Sequence, residues 1–407
     1  MAQPQDARLR PGFYLLGPAF VAAIAYVDPG NVAANVSAGA KFGFLLVWVI
    51  LLANVMAGLV QYLSAKLGLI TGQSLPEVVG SRMGRPTRLA YWAQAEMVAM
   101  ATDLAEVVGG ALALHLLFGL PLILGGVITG AVSLALLMIQ DRRGQSMFER
   151  VISGLLLVIA VGFLTSLFVN PAPIAHVVGG FVPRFHGAES VLLATAMLGA
   201  TVMPHAVYLH SGLTRDRHGR PEGRRRAQLL RVTKWDVALA MFVAGTVNMA
   251  MLLLAANNLQ GRHDTDTIEG AHAAVRDTLG PTVALFFAIG LLASGLASTS
   301  VGAYAGAMIM AGLLRRSIPL LWRRVITLIP ALAILASGLD PTRALVLSQV
   351  VLSFGIPFAL IPLVRLTSDS SVMGDDTNNR MTTALGWAVA ALISVLNVEL
   401  LYLITTG

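Results

Sequence analysis

The chain has 407 residues, of which 56% are hydrophobic and only 12% are charged, and its mean hydropathy is +0.75. A soluble globular protein carries roughly twice that share of charged residues, so the composition excludes a soluble protein and indicates an integral membrane protein. The net charge of +7 requires no nucleic-acid partner if the basic residues lie in loops, and the absence of cysteine excludes disulfides and thiolate metal sites.

Apolar segments long enough to cross a bilayer recur along the whole chain, at about 20 residues per spanning helix. They predict eleven spans, at 13–39, 43–70, 89–117, 121–140, 150–170, 189–213, 234–257, 280–313, 318–337, 342–366 and 382–406. This even spacing favours a single polytopic membrane domain, residues 1–407, over several soluble domains.

The basic residues predict how the chain is oriented in the membrane. Most of the 28 lysines and arginines fall in the loops that share a side with the N-terminus, and the segment 215–234 is the richest. Because cytoplasmic loops carry an excess of lysine and arginine, we expect a cytoplasmic N-terminus and an extracytoplasmic C-terminus in the plasma membrane.

Two spans are interrupted by a proline with polar or sulfur-bearing neighbours: Asp28-Pro29-Gly30-Asn31 in the first span and Met203-Pro204-His205 in the sixth. Proline has no N–H, so Pro29 is expected to release the carbonyl of Ala25, and Pro204 that of Ala200. Such groups at membrane depth are tolerated only where they line a cavity or are buried in protein. Each break therefore offers a set of ligands.

The positions of the breaks suggest an internal repeat. Spans one and six begin two consecutive sets of five helices, at about 13–170 and 189–366, and an odd number of helices inverts the second set relative to the first. Paired broken helices in inverted halves indicate a transporter binding site at the membrane midplane. The eleventh span, at about 382–406, falls outside the repeat.

Three stretches of the chain resemble the Nramp family: the two breaks and the segment 298–306 ahead of Arg315. Leu296 departs from the glutamine usual in the family. The resemblance implies an all-α membrane protein with the LeuT-type 5+5 inverted repeat plus one helix. It also implies a proton-coupled importer of divalent transition metals, similar to the bacterial manganese transporters, and no enzyme activity.

The resemblance further implies the metal ligands, which are Asp28, Asn31, Met203 and the Ala200 carbonyl, with the Ala25 carbonyl and Gln349 joining in some conformations. A thioether is a soft ligand that magnesium and calcium do not favour, so Met203 favours manganese, iron(II), cobalt or cadmium. A methionine in an apolar helix is more commonly a packing residue, and a membrane proline is often only a kink. The paired breaks favour the metal site.

The third span carries Glu96, Asp103 and Glu106, whose spacing puts all three on one stripe of a helix. By the resemblance, Asp103 and Glu106 pair with Arg323 and Arg324 of the ninth span and form a proton route that includes Asp28. The alternative is a static ion-pair network.

The sixth span carries two histidines, and because an imidazole can change charge near neutral pH, either could relay or sense protons. His205 is expected to relay protons because it adjoins Met203, with a structural role as the alternative; for His210 the structural role is favoured. Interhelical hydrogen bonds are expected from four further polar residues: Asn54, Gln61, Asn248 and Glu399.

Gly30, Pro29 and Pro204 are expected to act as hinges in alternating access, since glycine accepts backbone angles that other residues do not. Gly30 could equally serve close helix packing.

Two other function classes compete with metal transport. The same fold could carry an amino acid or organic cation, with Asp28 pairing with an amine or sodium, although this leaves Met203 without a purpose. An enzyme is disfavoured because the chain has no Gly-x-Ser-x-Gly, His-Glu-x-x-His or phosphate-binding glycine loop. The implied partners are the metal ion, protons and the lipid bilayer, with no cofactor and no obligate protein partner.

Overall fold

The computed structural model describes residues 17–143, 145–262, 265–315 and 320–406, and in these ranges the chain is helical, without β-strands. The helices are α1 (Pro18–Ile24), α2 (Pro29–Phe42), α3 (Val47–Thr71), α4 (Leu75–Arg82), α5 (Arg85–Phe118), α6 (Leu122–Arg143), α7 (Gln145–Val169), α8 (Ile174–Gly179), α9 (Gly187–Thr201), α10 (Pro204–His218), α11 (Gly223–Asn258), α12 (Ile268–Leu279), α13 (Pro281–Leu314), α14 (Leu320–Ala336), α15 (Pro341–Thr367), α16 (Ser370–Met373) and α17 (Arg380–Thr406). Turns of 3₁₀-helix occupy Ala25–Val27, Gly43–Leu46 and Gly374–Asp376.

Eight helical stretches of the described chain are long and apolar enough to cross a membrane: Pro29–Thr71, Arg85–Phe118, Met147–Val169, Gly187–His218, Gly223–Asn258, Pro281–Leu314, Pro341–Thr367 and Arg380–Leu403. Three shorter apolar helices, Pro18–Val27, Leu122–Leu136 and Val325–Ala336, lie where the first, fourth and ninth spans are predicted. The largely helical membrane architecture is confirmed, and the count of eleven spans and the assignment of two repeats in a single domain stay predictions.

The helices that contain the sixth and seventh predicted spans extend beyond the apolar segments. Helix α11 begins at Gly223, well before the expected start at residue 234, and α10 likewise continues to His218, past the expected end at 213. Arginine, glutamine and leucine are good helix formers, so a helix can extend into water beyond its apolar part. A hydropathy pattern detects only the apolar part.

The core of the molecule is a set of long helices in close contact. Helix α13 packs against α5 and α7, α2 packs against α11, and α15 packs against α9 and α5. Glycines allow the closest approaches, since a Cβ atom at Gly295 of α13 would lie 3.0 Å from the Cα of Gly110 on α5. Small residues at helix contacts are typical of membrane bundles, where van der Waals packing drives association.

Helix α7 offers a test of this packing. A Cβ atom at Gly162 would lie 2.7 Å from the carbonyl oxygen of Phe286 on α13, whereas one at Gly154, two turns earlier, has no heavy atom within 4 Å. We expect Gly162→Ala to destabilise the protein by about 1–3 kcal/mol through overpacking, and Gly154→Ala to cause no loss. The measurement is the apparent melting temperature of both purified variants in detergent. Equal shifts in melting temperature for the two variants would show that the contact with α13 does not restrict the size of the side chain at residue 162.

Candidate metal centre

The first break separates α1 from α2. Helix α1 ends at Ile24, a 3₁₀ turn follows, Asp28 is extended (φ −70°, ψ 169°), and Pro29 is the first residue of α2. Proline is well tolerated there because the first N–H of a helix has no helical partner. In a 3₁₀ turn carbonyls pair with the N–H three residues on, so Ala25 has a backbone donor that does not depend on Pro29. A ligand role for the Ala25 carbonyl stays a prediction for other conformations.

The second break separates α9 from α10. Helix α9 ends at Thr201, and α10 begins at Pro204, after an extended Met203 (φ −68°, ψ 124°). The Ala200 carbonyl, which Pro204 cannot bond, accepts a hydrogen bond from the side-chain Nδ2 of Asn31 at 2.9 Å. The two breaks are therefore in direct contact, and a residue of one satisfies the backbone of the other.

Asp28 and Asn31 form the centre of this contact. The backbone N–H and the Nδ2 of Asn31 donate to Asp28 Oδ1 at 2.7 Å and 3.0 Å, and the Thr201 hydroxyl donates to Asn31 Oδ1 at 3.4 Å. The other carboxylate oxygen, Asp28 Oδ2, is buried without a hydrogen-bond partner among the described residues. Burying such an oxygen is costly unless a cation or proton accompanies it.

Gln349 of α15 lies between the two breaks. A Cβ atom at Gly30 would lie 1.8 Å from Gln349 Nε2, and one at Gly199 would lie 2.1 Å from the Gln349 carbonyl oxygen. The side-chain Oε1 of Gln349 is also buried, and none of the residues described here donates a hydrogen bond to it. Met203 is fully buried at the end of the second break, in the same turn of chain as Ala200.

The available donor atoms limit the chemistry of this centre. In the described part of the chain no cluster of three or more His, Asp or Glu residues could hold a metal ion. A metal ion between the breaks would therefore be held by one carboxylate together with amide, carbonyl and thioether groups. This mixed set suits a borderline transition metal better than magnesium, which takes oxygen ligands alone.

The acidic residues of α5 lie in two environments. Asp103 and Glu106 are buried and Glu96 is half-buried. The Glu106 carboxylate lies against α13, where a Cβ atom at Gly302 would be 2.9 Å from its Oε1. Asp103 directly follows Thr102 in α5.

His205 connects the second break to α5, because its Nδ1 lies 3.3 Å from the Thr102 hydroxyl. Its Nε2 is buried and has no hydrogen-bond partner among the residues that the structure covers. Arg323 and Arg324 lie on α14, which packs against α5. Their side chains are outside the described residues, so their pairing with Asp103 and Glu106 stays a prediction.

A row of hydrogen-bonded side chains starts at Tyr26, two residues before Asp28, and the sequence predicted only part of it. The Gln61 side chain donates to the Tyr26 hydroxyl and lies with its Oε1 2.6 Å from His210 Nδ1. The expected interhelical hydrogen bonding of Gln61 is thus confirmed, and the structural role of His210 stays a prediction that this contact supports. Tyr26 was missed, although a tyrosine beside a helix break is a signal that could have identified it.

Both ends of the first span are tied to neighbouring helices. Lys41, at the end of α2, forms ion pairs with Glu189 of α9 and, at 3.5 Å, with Asp266. At the other end, Asp236 of α11 accepts hydrogen bonds at 3.0 Å from the N–H of Gly17 and of Ala19, which supplies acceptors for the unpaired first turn of α1.

The centre itself is closed in this conformation, since Asp28, Asn31 and Met203 are each fully buried. A cavity of about 420 Å³ lies beyond the end of α2 and is lined by charged residues that include Lys41 and Glu189. None of the proposed ligand residues lines this cavity.

Comparison with known proteins gives matches along the whole chain. The Nramp family model, described as natural resistance-associated macrophage protein-like, matches residues 19–403. The divalent metal cation transporter MntH of Mycobacterium tuberculosis is 70% identical over 408 residues, which cover 100% of this chain and 95% of that protein.

Solved structures of transporters also resemble this chain. The Eremococcus coleocola manganese transporter superposes with a TM-score of 0.84 at 29% identity, covering 97% of this chain and 87% of that one. MhsT in complex with L-phenylalanine has a TM-score of 0.61 at 14% identity, covering 99% and 100% of the two chains, and shows the LeuT-type fold alone. With a family model over nearly its full length and a relative at 70% identity, the chain belongs to the Nramp family and is a membrane transporter of divalent metal cations rather than an enzyme.

Proposed function

We propose that this transporter imports manganese, and also iron(II), cobalt and cadmium, together with protons, across the plasma membrane by alternating access. The observation that carries the proposal is the contact between the two breaks, where Asn31 bridges the Asp28 carboxylate and the Ala200 carbonyl. The solved neighbour from Eremococcus coleocola is itself named a manganese transporter, which supports manganese as the substrate.

The proposed ligands have distinct tasks. Asp28 supplies the negative charge, and its Oδ2 is the buried acceptor that a cation would satisfy. Asn31 and the Ala200 carbonyl supply neutral oxygens, and Gln349 supplies another from α15. Met203 supplies a sulfur that binds soft and borderline metals in preference to magnesium and calcium.

Alternating access requires the closed centre to open to each side in turn. In the proposed movement a bundle that contains the first and sixth spans rocks against a scaffold that contains the third and eighth. The tie from Lys41 to Glu189 joins the ends of the first and sixth spans, so it would move with the bundle. An inside-negative potential favours inward movement of each positive charge by about 2.3 kcal/mol per 100 mV, which makes import the favoured direction.

The proposed proton route starts at Asp28 and passes through His205 to the acidic residues of α5. One contact supports it: the Thr102 hydroxyl lies 3.3 Å from His205 Nδ1, and Asp103 is the next residue of α5. Glu106, Arg323 and Arg324 would continue the route. With the N-terminus in the cytoplasm, as the basic loops predict, α14 would carry the two arginines on the cytoplasmic side.

The metal centre predicts a specific pattern of uptake into proteoliposomes. We expect Asp28→Ala to abolish manganese uptake, because the centre loses its only proposed charged ligand. Met203→Ala is expected to retain uptake but to let excess magnesium or calcium compete, since the soft ligand is lost. Met197→Ala is the matched control, because Met197 is also a buried methionine of the sixth span.

A parent protein that moves no manganese would contradict the proposed function. Variants of Asp28 and Met203 that both match the parent would contradict the proposed ligands.

The proton route predicts a change in coupling. We expect Asp103→Asn to remove most of the proton uptake that accompanies each manganese ion, because a carboxamide cannot take up and release a proton as a carboxylate can. Glu399 is an exposed residue of α17, so Glu399→Gln serves as the control for loss of a carboxylate. Proton influx is followed with a pH-sensitive dye while manganese uptake is measured in the same vesicles. A parental proton-to-metal ratio in Asp103→Asn would remove Asp103 from the route.

The role of Gly30 can be decided by a double-mutant cycle. Its backbone is helical, without the positive φ that favours glycine, and Gln349 occupies the space that a Cβ atom would need. We therefore expect Gly30→Ala to reduce manganese uptake in the parent protein and to cause little further loss in a Gln349→Ala background. An equal loss in both backgrounds would show that Gly30 is required as a hinge.

A further inference from the structure

The two carbonyls that precede Asp28, those of Tyr26 and Val27, lose their helical donors at the first break. In a continuous helix they would accept from the N–H groups of Gly30 and Asn31. The extended backbone of Asp28 interrupts this pairing, and the Asn31 N–H donates to the Asp28 carboxylate instead. Both carbonyls belong to fully buried residues, so each needs another donor.

Side chains of two other helices supply those donors. Asn248 of α11 donates from Nδ2 to the Tyr26 carbonyl at 2.7 Å, and Ser294 of α13 donates from its hydroxyl to the Val27 carbonyl at 2.6 Å. Asn248 and Ser294 are themselves buried. Asn248 is held in turn by Asn35 of α2, whose Nδ2 donates to the Asn248 Oδ1 at 2.9 Å.

These bonds determine where the Asp28 carboxylate lies. A peptide unit is planar, so the Val27 carbonyl lies in one plane with the N and Cα atoms of Asp28. A hydrogen bond from Ser294 to that carbonyl fixes the plane, and Asn248 fixes the preceding one. With both planes held, the Cα atom of Asp28 has a fixed position, and the two hydrogen bonds from Asn31 to Asp28 Oδ1 orient the carboxylate from there.

We propose that Ser294 and Asn248 are positioning residues for metal binding, which hold the unwound backbone of the first break so that the Asp28 carboxylate is aimed at the metal ion. This inference rests on the proposed metal centre at Asp28. Neither side chain is among the proposed ligands, and both donate hydrogen bonds to backbone carbonyls of the first break. Correct orientation of a binding group lowers the cost of ordering it when the ion arrives.

The two residues differ in the helices that carry them. Asn248 is on α11, which packs along α2 and α1, whereas Ser294 is on α13, which packs on α5. In the proposed movement Asn248 would travel with the first span, while Ser294 would stay with the scaffold. The Ser294 bond therefore defines the position of Asp28 in this closed conformation.

The experiment compares Ser294→Ala with Ser298→Ala, one turn further along the same helix. The Ser298 hydroxyl donates at 2.8 Å to the carbonyl of Ser294 in its own helix, so its removal leaves the first break untouched. Manganese affinity is measured by titration calorimetry on the purified protein, and the KM and maximal rate of manganese uptake are measured in proteoliposomes. We expect Ser294→Ala to weaken affinity and raise KM about three- to tenfold, as for the loss of one hydrogen bond. Ser298→Ala should retain the parental values.

Asn248→Ala is the second variant, and it is expected to weaken manganese affinity in the same direction. If it does not fold, the comparison of Ser294 with Ser298 decides alone. Ser294→Ala with parental affinity and KM, or with only a lower maximal rate, would overturn the positioning role, because general packing damage reduces the active fraction without changing affinity. A parent protein that binds no manganese would instead overturn the proposed function, on which this inference depends.

Discussion

Backbone carbonyls that lose their helical donors inside an apolar bundle need new partners, and the two broken helices depend on this constraint. The Ala200 carbonyl accepts a hydrogen bond from the Asn31 side chain. The Tyr26 and Val27 carbonyls accept hydrogen bonds from side chains of α11 and α13. In hydrocarbon surroundings water cannot take these places. The breaks persist because neighbouring helices bring polar side chains to them at the required positions.

The same constraint leaves acceptors in excess. Asp28 Oδ2 and Gln349 Oε1 are buried without a donor among the described residues, next to the contact between the breaks. Each such group costs about 1–3 kcal/mol when it stays unsatisfied. A cation bound at the proposed metal centre would remove that cost, so these unsatisfied acceptors would contribute to affinity for a positively charged substrate. A donor-rich site would have the opposite preference.

Close packing around the centre makes its geometry sensitive to small changes. Gln349 approaches the backbone at Gly30 and Gly199 so closely that neither position has room for a Cβ atom. The ninth and tenth spans differ in this respect, since α14 packs on α5 and α6, whereas α15 contacts both broken helices. The tenth span therefore contacts both breaks, and the role of Gln349 as a ligand in some conformations stays a proposal.

Several features of this protein follow from the sequence because their causes are local. An apolar run of about 20 residues predicts a membrane helix wherever it lies, and Pro29 weakens such a helix for a local reason, since proline lacks the N–H that the helix needs. The Nramp resemblance is carried by these short stretches, and the family and fold that it implies were confirmed. The first apolar residues of the seventh span did not mark the start of α11, because the charged turns that precede them also consist of helix formers.

Only the tertiary structure decided which groups meet. Asn31 bonds a carbonyl 169 residues away, and Asn248 bonds one 222 residues away. Nothing in the local pattern distinguishes Ser294 from Ser298, yet one hydroxyl contacts the first break and the other contacts its own helix. Which side chain reaches a neighbouring backbone depends on the rotation and register of two packed helices, and these are set by the packing of the whole bundle rather than by the residues of either segment.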